Sequence, residues 1–243
     1  MGKSKPMIKT PVKAKDSNKL FTIIVGVLVL AIIAVLVIAK ATSSTEKRSR
    51  DRNKEAITAQ TKKVGAKATD GNYKIVKQEV GKKVGVEGTG LPELVQGAAD
   101  PATGMKAPVL TMDTFAGEPV EINPVGKAYM ISFLAHWCEH CNAEMPILKG
   151  IEKQVPKGLE VIGVATGVNE AAAHYPPSTW FASEGFPYRV FLDDKAGLAM
   201  NSMGGSGYPH IVFIDAAGNV TKRLTGESPA ADLLEAMNQA VGK

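Results

Sequence analysis

The two cysteines of this 243-residue chain lie three positions apart, in the stretch FLAHWCEHCNAEMP. An apolar, strand-like run precedes Cys138 and a helix-like stretch follows it, so Cys138 is expected at the amino end of a helix. Unpaired backbone N–H groups and the helix dipole favour a thiolate there. Cys141 follows on the same helical face. The spacing predicts a redox dithiol in which Cys138 attacks a substrate disulfide and Cys141 resolves the mixed disulfide.

A structural role for these cysteines is the plainer alternative. A disulfide that closes so short a loop removes little chain entropy from the unfolded state, so it would stabilise the fold weakly. Two inert buried thiols would not be expected at a junction between a strand and a helix. We therefore favour redox chemistry.

The residues between the cysteines have opposite effects on the dithiol. A cationic His140 would stabilise the thiolate and hence the reduced form, which makes the pair more oxidising. Glu139 would do the opposite. The direction of electron flow therefore stays open at this point.

A metal-binding module is the competing class of function. Cysteine and histidine suit Cu(I) or zinc, and all the histidines follow residue 135: His136, His140, His174 and His210. However, the spacing contains no second C-x-x-C and no H-x₃-H pair, which tight zinc sites usually provide. We predict neither a metal nor a cofactor, and His210 is expected to be structural.

Hydrolase and nucleotide sites find no support. No G-x-S-x-G elbow is present. The glycine-rich run 204–207 precedes a strand instead of a helix, so it cannot hold a phosphate at a helix N-terminus.

The elements that must position the dithiol lie in residues 106–243, where apolar runs alternate with turn signals. The expected strands are Ala128–Leu134, Leu159–Ala165 and Arg189–Leu192, together with a hairpin Thr114–Ile122 turned at Gly117 and a hairpin of His210–Ile214 with Val220–Thr225. The expected helices are Ser178–Gly185, Ala196–Met203 and Cys138–Gln154, the last with a break at Pro146. A final helix is expected to have Ser228 as its N-cap and Pro229 at its first position. This order predicts an α/β fold with a mixed sheet.

A membrane segment is predicted near the amino terminus. Residues 20–39 carry no charge and would span roughly 30 Å as a helix, the thickness of a hydrocarbon core. A cleaved signal peptide is the alternative, because Ala39-Lys40-Ala41 fits its cleavage pattern, but the apolar run is longer than a signal peptide needs. We expect a basic cytoplasmic tail (1–19), a transmembrane helix (20–39), a polar extracytoplasmic stalk (40–105) and a folded domain (106–243).

The distribution of charge along the chain supports the division into a basic amino-terminal part and a folded domain, but it does not fix the orientation of the predicted transmembrane helix. Residues 1–105 hold 19 Lys and Arg against 9 Asp and Glu, whereas residues 106–243 hold 10 against 15. Six lysines precede the apolar segment and six basic residues closely follow it, so the positive-inside comparison is almost a tie. We expect the amino terminus in the cytoplasm and the domain outside it. No nucleic-acid motif accompanies the basic half, so we expect no nucleic-acid partner.

Residues 107–226 resemble the TlpA/ResA-like branch of the thioredoxin superfamily. The resemblance rests on APVLTMDTFAGEPVEI, FLAHWCEHCNAEMP, FPYRVFLDDKAGLA and GYPHIVFIDAAGNV. It implies a thioredoxin fold, thiol–disulfide exchange outside the cytoplasm, and protein disulfides as substrates. It also implies a membrane partner that passes electrons, of the CcdA/DsbD type for a reductase or an oxidising equivalent otherwise, with apocytochrome c as one family-based substrate.

The resemblance assigns roles to individual residues. It implies Cys138 as the attacking and Cys141 as the resolving cysteine, with Trp137 packed beside them. Pro209 matches a proline that is cis in this superfamily, and Tyr208 before it would present its backbone to an extended substrate.

Two features depart from the common thioredoxin pattern. Ser132 stands where many thioredoxins carry a buried acid, and Glu144 is the acid that ResA-type members use instead. Glu144 would accept a proton from Cys141; the alternative is an ordinary solvated helix residue. We expect a reductase of protein disulfides, with a DsbA-like oxidant as the alternative.

Overall fold

The computed structural model describes residues 75–95 and 97–243. The predicted tail, the predicted transmembrane helix and residues 40–74 of the predicted stalk lie outside these ranges. Among the described residues, none of the helices has the length and apolar character that crossing a membrane requires.

One mixed sheet organises the described residues. Its strands are β1 Gly85–Glu87, β2 Val109–Asp113, β3 Pro119–Ile122, β4 Ala128–Leu134, β5 Leu159–Ala165, β6 Arg189–Leu192, β7 His210–Ile214 and β8 Val220–Thr225. They are ordered β1-β2-β6-β5-β4-β7-β8, and β3 pairs with β2. Strands β4, β5 and β6 are parallel, and β7 and β8 are antiparallel to their neighbours. Helices α1 Glu139–Gly150, α2 Pro177–Glu184, α3 Leu198–Ser202 and α4 Ala230–Ala240 flank the sheet.

Strand β4 runs through the middle of the sheet and leads directly to the cysteines. All seven of its residues are buried, as the continuous apolar run predicts for a strand covered on both faces. Met130 and Leu134 belong to the core under α1 and α4, whereas Ile131 and Phe133 belong to the core on the opposite face. The mixed sheet and its flanking helices confirm the predicted thioredoxin-like α/β fold.

The structure differs from the sequence expectation over residues 75–105, which were assigned to the stalk. Val84, Leu91 and Ala102 are buried in the core on the face opposite α1, and β1 pairs with β2. These apolar residues are too widely spaced among polar ones to form a core of their own. They are buried because they dock on a sheet that other residues build.

A buried arginine holds this docked segment. The guanidinium of Arg223, on β8, donates to both carboxylate oxygens of Asp100 and to the carbonyl of Pro92 at 2.8 Å. A further hydrogen bond of 3.0 Å joins it to the carbonyl of Met203 after α3. Burial raises the pKa of Asp100, but the hydrogen bonds from Arg223 outweigh this effect and leave that pKa lowered. The segment is thus tied to the sheet by a desolvated ion pair.

Two helix predictions need correction. Pro146 lies inside α1, which continues to Gly150 without the predicted break, because Met145 and Leu148 on either side of the proline pack into the core. The last helix begins at Ala230 with Pro229 as its N-cap, not Ser228. The backbone N–H of Ser228 is instead bonded to Glu144, one of the predicted site residues.

Candidate active site

Cys138 occupies the N-cap position of α1. Its backbone is extended (φ −81°, ψ 123°), and its side chain makes no capping hydrogen bond. The residue is 8% exposed, and its Sγ lies 3.8 Å from the carbonyl oxygen of Tyr208, to which the thiol donates. Both cysteines are free thiols. Cys138 therefore lies at the end of the helix where backbone N–H groups have no intrahelical partner.

Cys141 lies beneath Cys138 and is fully buried. Its Sγ accepts a hydrogen bond from the backbone N–H of Ala135 at 3.4 Å. Burial raises the pKa of the Cys141 thiol well above its ordinary value, and negative charge on Cys138 and Glu144 adds to the effect, while the Ala135 N–H opposes it. The arrangement keeps Cys141 protonated while Cys138 is the thiol nearer to solvent.

Glu144 is buried on α1, one turn after Cys141. Its Oε2 accepts the backbone N–H of Ser228 at 2.9 Å, and its Oε1 has no hydrogen-bond partner among the described residues. The pKa of Glu144 is raised to about 7, chiefly by burial; the charge of Glu227 adds to the rise, and the Ser228 hydrogen bond opposes it. The alternative of a solvated helix residue is therefore wrong. Ser132 is also buried, and its hydroxyl has no partner among the described residues.

The predicted cis peptide bond between Tyr208 and Pro209 is confirmed. The Tyr208 ring meets the Trp137 indole edge to face, with the centroids 5.6 Å apart. Trp137 is 37% exposed and donates from Nε1 to the carbonyl of Gly167 at 2.7 Å. Gly167 has φ +58°, and a Cβ on it would lie 2.6 Å from the Tyr208 hydroxyl oxygen. The left-handed backbone and the nearby Tyr208 hydroxyl both favour glycine at this position, which lets the loop pass close to the two aromatic rings.

The two residues between the cysteines lie on the exposed side of α1. Glu139 is exposed in the first turn. The Nδ1 of His140 lies 2.6 Å from Oε1 of Glu227, and both side chains are at least half exposed. The imidazole is therefore bound to the loop between β8 and α4.

The two buried histidines, His136 and His210, bind backbone groups. His136 is buried, with Nδ1 2.7 Å from the carbonyl of Ala173 and Nε2 accepting the N–H of Asn169 at 3.2 Å. His210 is buried with Nε2 3.2 Å from the carbonyl of Met203, which agrees with its predicted structural role. Within residues 75–95 and 97–243, no group of three or more His, Cys, Asp or Glu is arranged to hold a metal ion.

Sequence reasoning missed two features beside the dithiol. Glu227 contacts His140 although 87 positions separate them in the chain, and no local pattern marks that pairing. His136 fastens the loop after β5, which contains a second cis bond, Tyr175–Pro176. The Tyr-Pro dipeptide was the available signal for that loop.

Comparison with known proteins identifies the chain's relatives. The family model described as Redoxin matches residues 102–239, more than half of the chain. The chain belongs to the Redoxin family. Among curated Redoxin relatives, the thiol-disulfide oxidoreductase ResA of Bacillus subtilis is 26% identical over 137 residues, which cover 56% of this chain and 74% of ResA. The thiol:disulfide interchange protein DsbE of Pasteurella multocida is 28% identical, covering 51% and 66% of the two chains.

Solved structures of similar proteins include a thioredoxin-family thiol:disulfide interchange protein from Chlorobium tepidum. It is 26% identical, with a TM-score of 0.48, and the match covers 58% of this chain and 98% of that one. The family match and the curated relatives make this Redoxin a TlpA/ResA-like member of the thioredoxin superfamily and a thiol–disulfide oxidoreductase.

Proposed function

We propose that this Redoxin is a membrane-tethered, extracytoplasmic reductase of protein disulfides that uses the Cys138–Cys141 dithiol. The observation that carries the proposal is the pairing of one thiol near the surface at a helix N-terminus with a second, protonated thiol buried beneath it. That asymmetry assigns the attacking and the resolving roles to different cysteines.

The first step is attack by the Cys138 thiolate on a substrate disulfide. A bond forms between Cys138 Sγ and one substrate sulfur, the substrate S–S bond breaks, and the other substrate sulfur leaves as a thiolate that takes a proton from water. Cys138 lies at the N-terminus of α1, where the helix dipole favours negative charge. Cys141 cannot make this attack because it is fully buried.

The second step is resolution by Cys141. Cys141 must lose its proton before it attacks Cys138 Sγ, and its raised pKa makes that loss the difficult event. We assign the proton to Glu144, a buried carboxylate one helical turn away whose pKa of about 7 suits a general base near neutral pH. The Cys138–Cys141 disulfide then forms, the second substrate sulfur is released, and two electrons have passed to the substrate.

The substrate is proposed to bind across the aromatic pair. The carbonyl of Tyr208 faces Cys138 Sγ at 3.8 Å, so an extended peptide lying along this backbone would bring its disulfide to the thiolate. Trp137 offers an exposed ring face beside the same point. Contacts of this kind depend on main-chain geometry, so they suit many disulfide-containing sequences.

The reductive direction is supported by acidic groups around the dithiol. Glu139 is exposed in the first turn of α1, and Glu144 lies beneath Cys141. Negative charge near the pair disfavours the thiolate and therefore the reduced form, which lowers the reduction potential. A reductase outside the cytoplasm needs electrons from inside, so we propose a CcdA/DsbD-like membrane partner that reduces the Cys138–Cys141 disulfide after each cycle.

The tether and its orientation rest on the sequence. Residues 20–39 are uncharged and long enough to span a bilayer, which supports a single-pass protein. We place the amino terminus in the cytoplasm because the resemblance to the TlpA/ResA-like branch implies thiol–disulfide exchange outside it. Because Cys138 and Cys141 are the only cysteines, a membrane-impermeant maleimide is a selective probe. Intact cells that express the full chain should be labelled at Cys138; labelling only after lysis would overturn the proposed location.

A redox titration tests the reaction. The full chain, purified in detergent, is equilibrated in thiol/disulfide buffers, and the two cysteines are scored by alkylation and mass. A potential near about −270 mV supports a reductase, whereas one near about −120 mV would make the protein an oxidant. Failure to form a Cys138–Cys141 disulfide in any buffer would refute the dithiol mechanism.

A further inference from the structure

Three consecutive residues after β8 touch three separate parts of the candidate site. Gly226 N–H donates to the carbonyl of Pro209 at 2.9 Å, and Ser228 N–H donates to Glu144 at 2.9 Å. Between them, the Glu227 carboxylate lies 2.6 Å from Nδ1 of His140. The backbone of this loop is fixed on both sides, so the Glu227 side chain starts from a defined position.

His140 is the group that could push the dithiol toward oxidation. It stands between the two cysteines in the first turn of α1, where an imidazolium would add positive charge near Cys138 and stabilise its thiolate. The structure pairs this imidazole with a carboxylate at charge-assisted hydrogen-bond distance. The charge of a cationic His140 is thereby compensated before it acts on the thiolate.

We propose that Glu227 is a positioning residue that holds the His140 imidazole and compensates its charge, and so keeps the Cys138–Cys141 pair on the reducing side. This inference rests on the proposed function, because it explains how a dithiol that contains a histidine remains a reductant. The opposed effects of Glu139 and His140 are then decided by a third residue from a distant part of the chain.

The other charged groups around the pair are acidic. On α1, Glu139 is exposed and Glu144 is buried beneath the cysteines. From the loop before α4, Glu227 also adds to the raised pKa of Glu144. Tyr208, on the opposite side, is neutral near pH 7. Glu227 can therefore affect the redox equilibrium of the dithiol in two ways, through His140 and through its own charge. A test must separate these two effects.

The test is a set of equilibrium constants with glutathione at pH 6.0, where imidazoles carry substantial charge. The full-length protein is compared with Glu227→Gln, His140→Ala and the double variant. Glu227→Gln should favour the reduced form about threefold, the scale of an exposed ion pair, which is about 14 mV toward a more oxidising couple. In the His140→Ala background, the same substitution should have less than half that effect.

Glu235→Gln is the matched control. Glu235 is exposed on α4, so its substitution removes the same charge at a distance from the loop. It should leave the equilibrium constant unchanged. Circular dichroism at pH 6.0 should show that all variants are folded, as expected for substitutions at exposed positions.

Two results would overturn the inference. An unchanged constant in Glu227→Gln would mean that the contact has no effect on the couple. An equal shift with and without His140 would mean that Glu227 acts by its charge alone. Neither result bears on the proposed function, which depends on whether the wild-type pair cycles and at what potential.

Discussion

The substitution Glu144→Gln should change the pH dependence of both stability and catalysis. The carboxyl group is fully buried, and its Oε1 has no partner among the described residues. Its pKa is raised from the ordinary 4.5 to about 7 in the folded protein. The folded state therefore binds a proton that the unfolded state has already released between these two values. The contribution of Glu144 to stability is therefore greatest below pH 4.5 and is lost as the pH rises through 7.

The size of this effect follows from the pKa difference. A displacement from 4.5 to about 7 corresponds to about 3 kcal/mol of unfolding free energy, at 1.36 kcal/mol per pH unit. Glutamine does not titrate, so the variant lacks this loss. The free energy of unfolding of each protein is measured in urea at pH 4.0 and pH 7.5. The wild-type value should fall by about 3 kcal/mol more than the variant value over this interval.

The change in unfolding free energy between the two pH values does not include any destabilisation by the substitution that is independent of pH. The glutamine amide can still accept the Ser228 N–H, and any packing penalty is the same at both pH values. Glu235→Gln, on the exposed face of α4, should follow the wild type. If the Glu144→Gln and wild-type curves are parallel, the Glu144 carboxyl group does not take up a proton on folding between pH 4.5 and 7.

The same variant tests the assigned proton transfer. Resolution of a trapped mixed disulfide on Cys138 should slow by about 10²-fold without the general base. In the wild type the resolution rate should rise through pH 7 as Glu144 ionises, and this inflection should vanish in Glu144→Gln. Quenched-flow alkylation measures the lifetime of the mixed disulfide. An inflection that survives the substitution would assign the proton to another group.

Three further substitutions probe other parts of the molecule. Cys141→Ser should accumulate mixed disulfides between Cys138 and protein substrates, seen as reducible bands on a non-reducing gel. Gly167→Ala should destabilise the fold by about 1–3 kcal/mol in addition to the backbone strain, because its Cβ would lie 2.6 Å from the Tyr208 hydroxyl oxygen. The same variant should also slow substrate reduction. Arg223→Met should cost about 3 kcal/mol in urea unfolding, because it leaves Asp100 with its charge uncompensated.

Each of these three substitutions has a control variant. Cys138→Ser should trap no substrate at all, and trapping by that variant would reverse the assigned roles. Gly104→Ala has a similar positive φ with open space around it, so it measures backbone strain alone. Lys222→Met, one position before Arg223 on β8, should be nearly neutral; an equal loss in both variants would assign the effect to the strand instead of the ion pair.

The parts of the fold that could be predicted from the sequence are those encoded locally. Strand β4 is a continuous apolar run, so its bounds agree with the prediction. The two cysteines and Pro209 lie in short sequence motifs, which were enough to predict the dithiol and the cis proline. Pro146 was assigned a helix break on local grounds, and the packing of the residues around it decided otherwise.

The rest depends on contacts between distant positions. Glu144 has the same local sequence whether it is solvated or buried, and its burial is decided by a loop 84 positions away. His140 shows the same difficulty, since Glu227 is equally remote in the chain. Residues 75–105 have a polar composition because they cover a sheet without forming a core. The hydrophobic periodicity of such a segment does not indicate that it packs on a sheet.

The docked segment has a consequence for where the domain begins. Similarity to the Redoxin family starts at residue 102, after Val84 and Leu91 have already entered the core. A fragment expressed from that boundary would keep both cysteines but uncover the apolar side chains of Leu110 and Met112. Its redox behaviour would then be confounded by aggregation. The first backbone bond from this segment to the body, Lys77 N–H to the carbonyl of Phe115 at 2.8 Å, marks a safer starting point for any shortened protein.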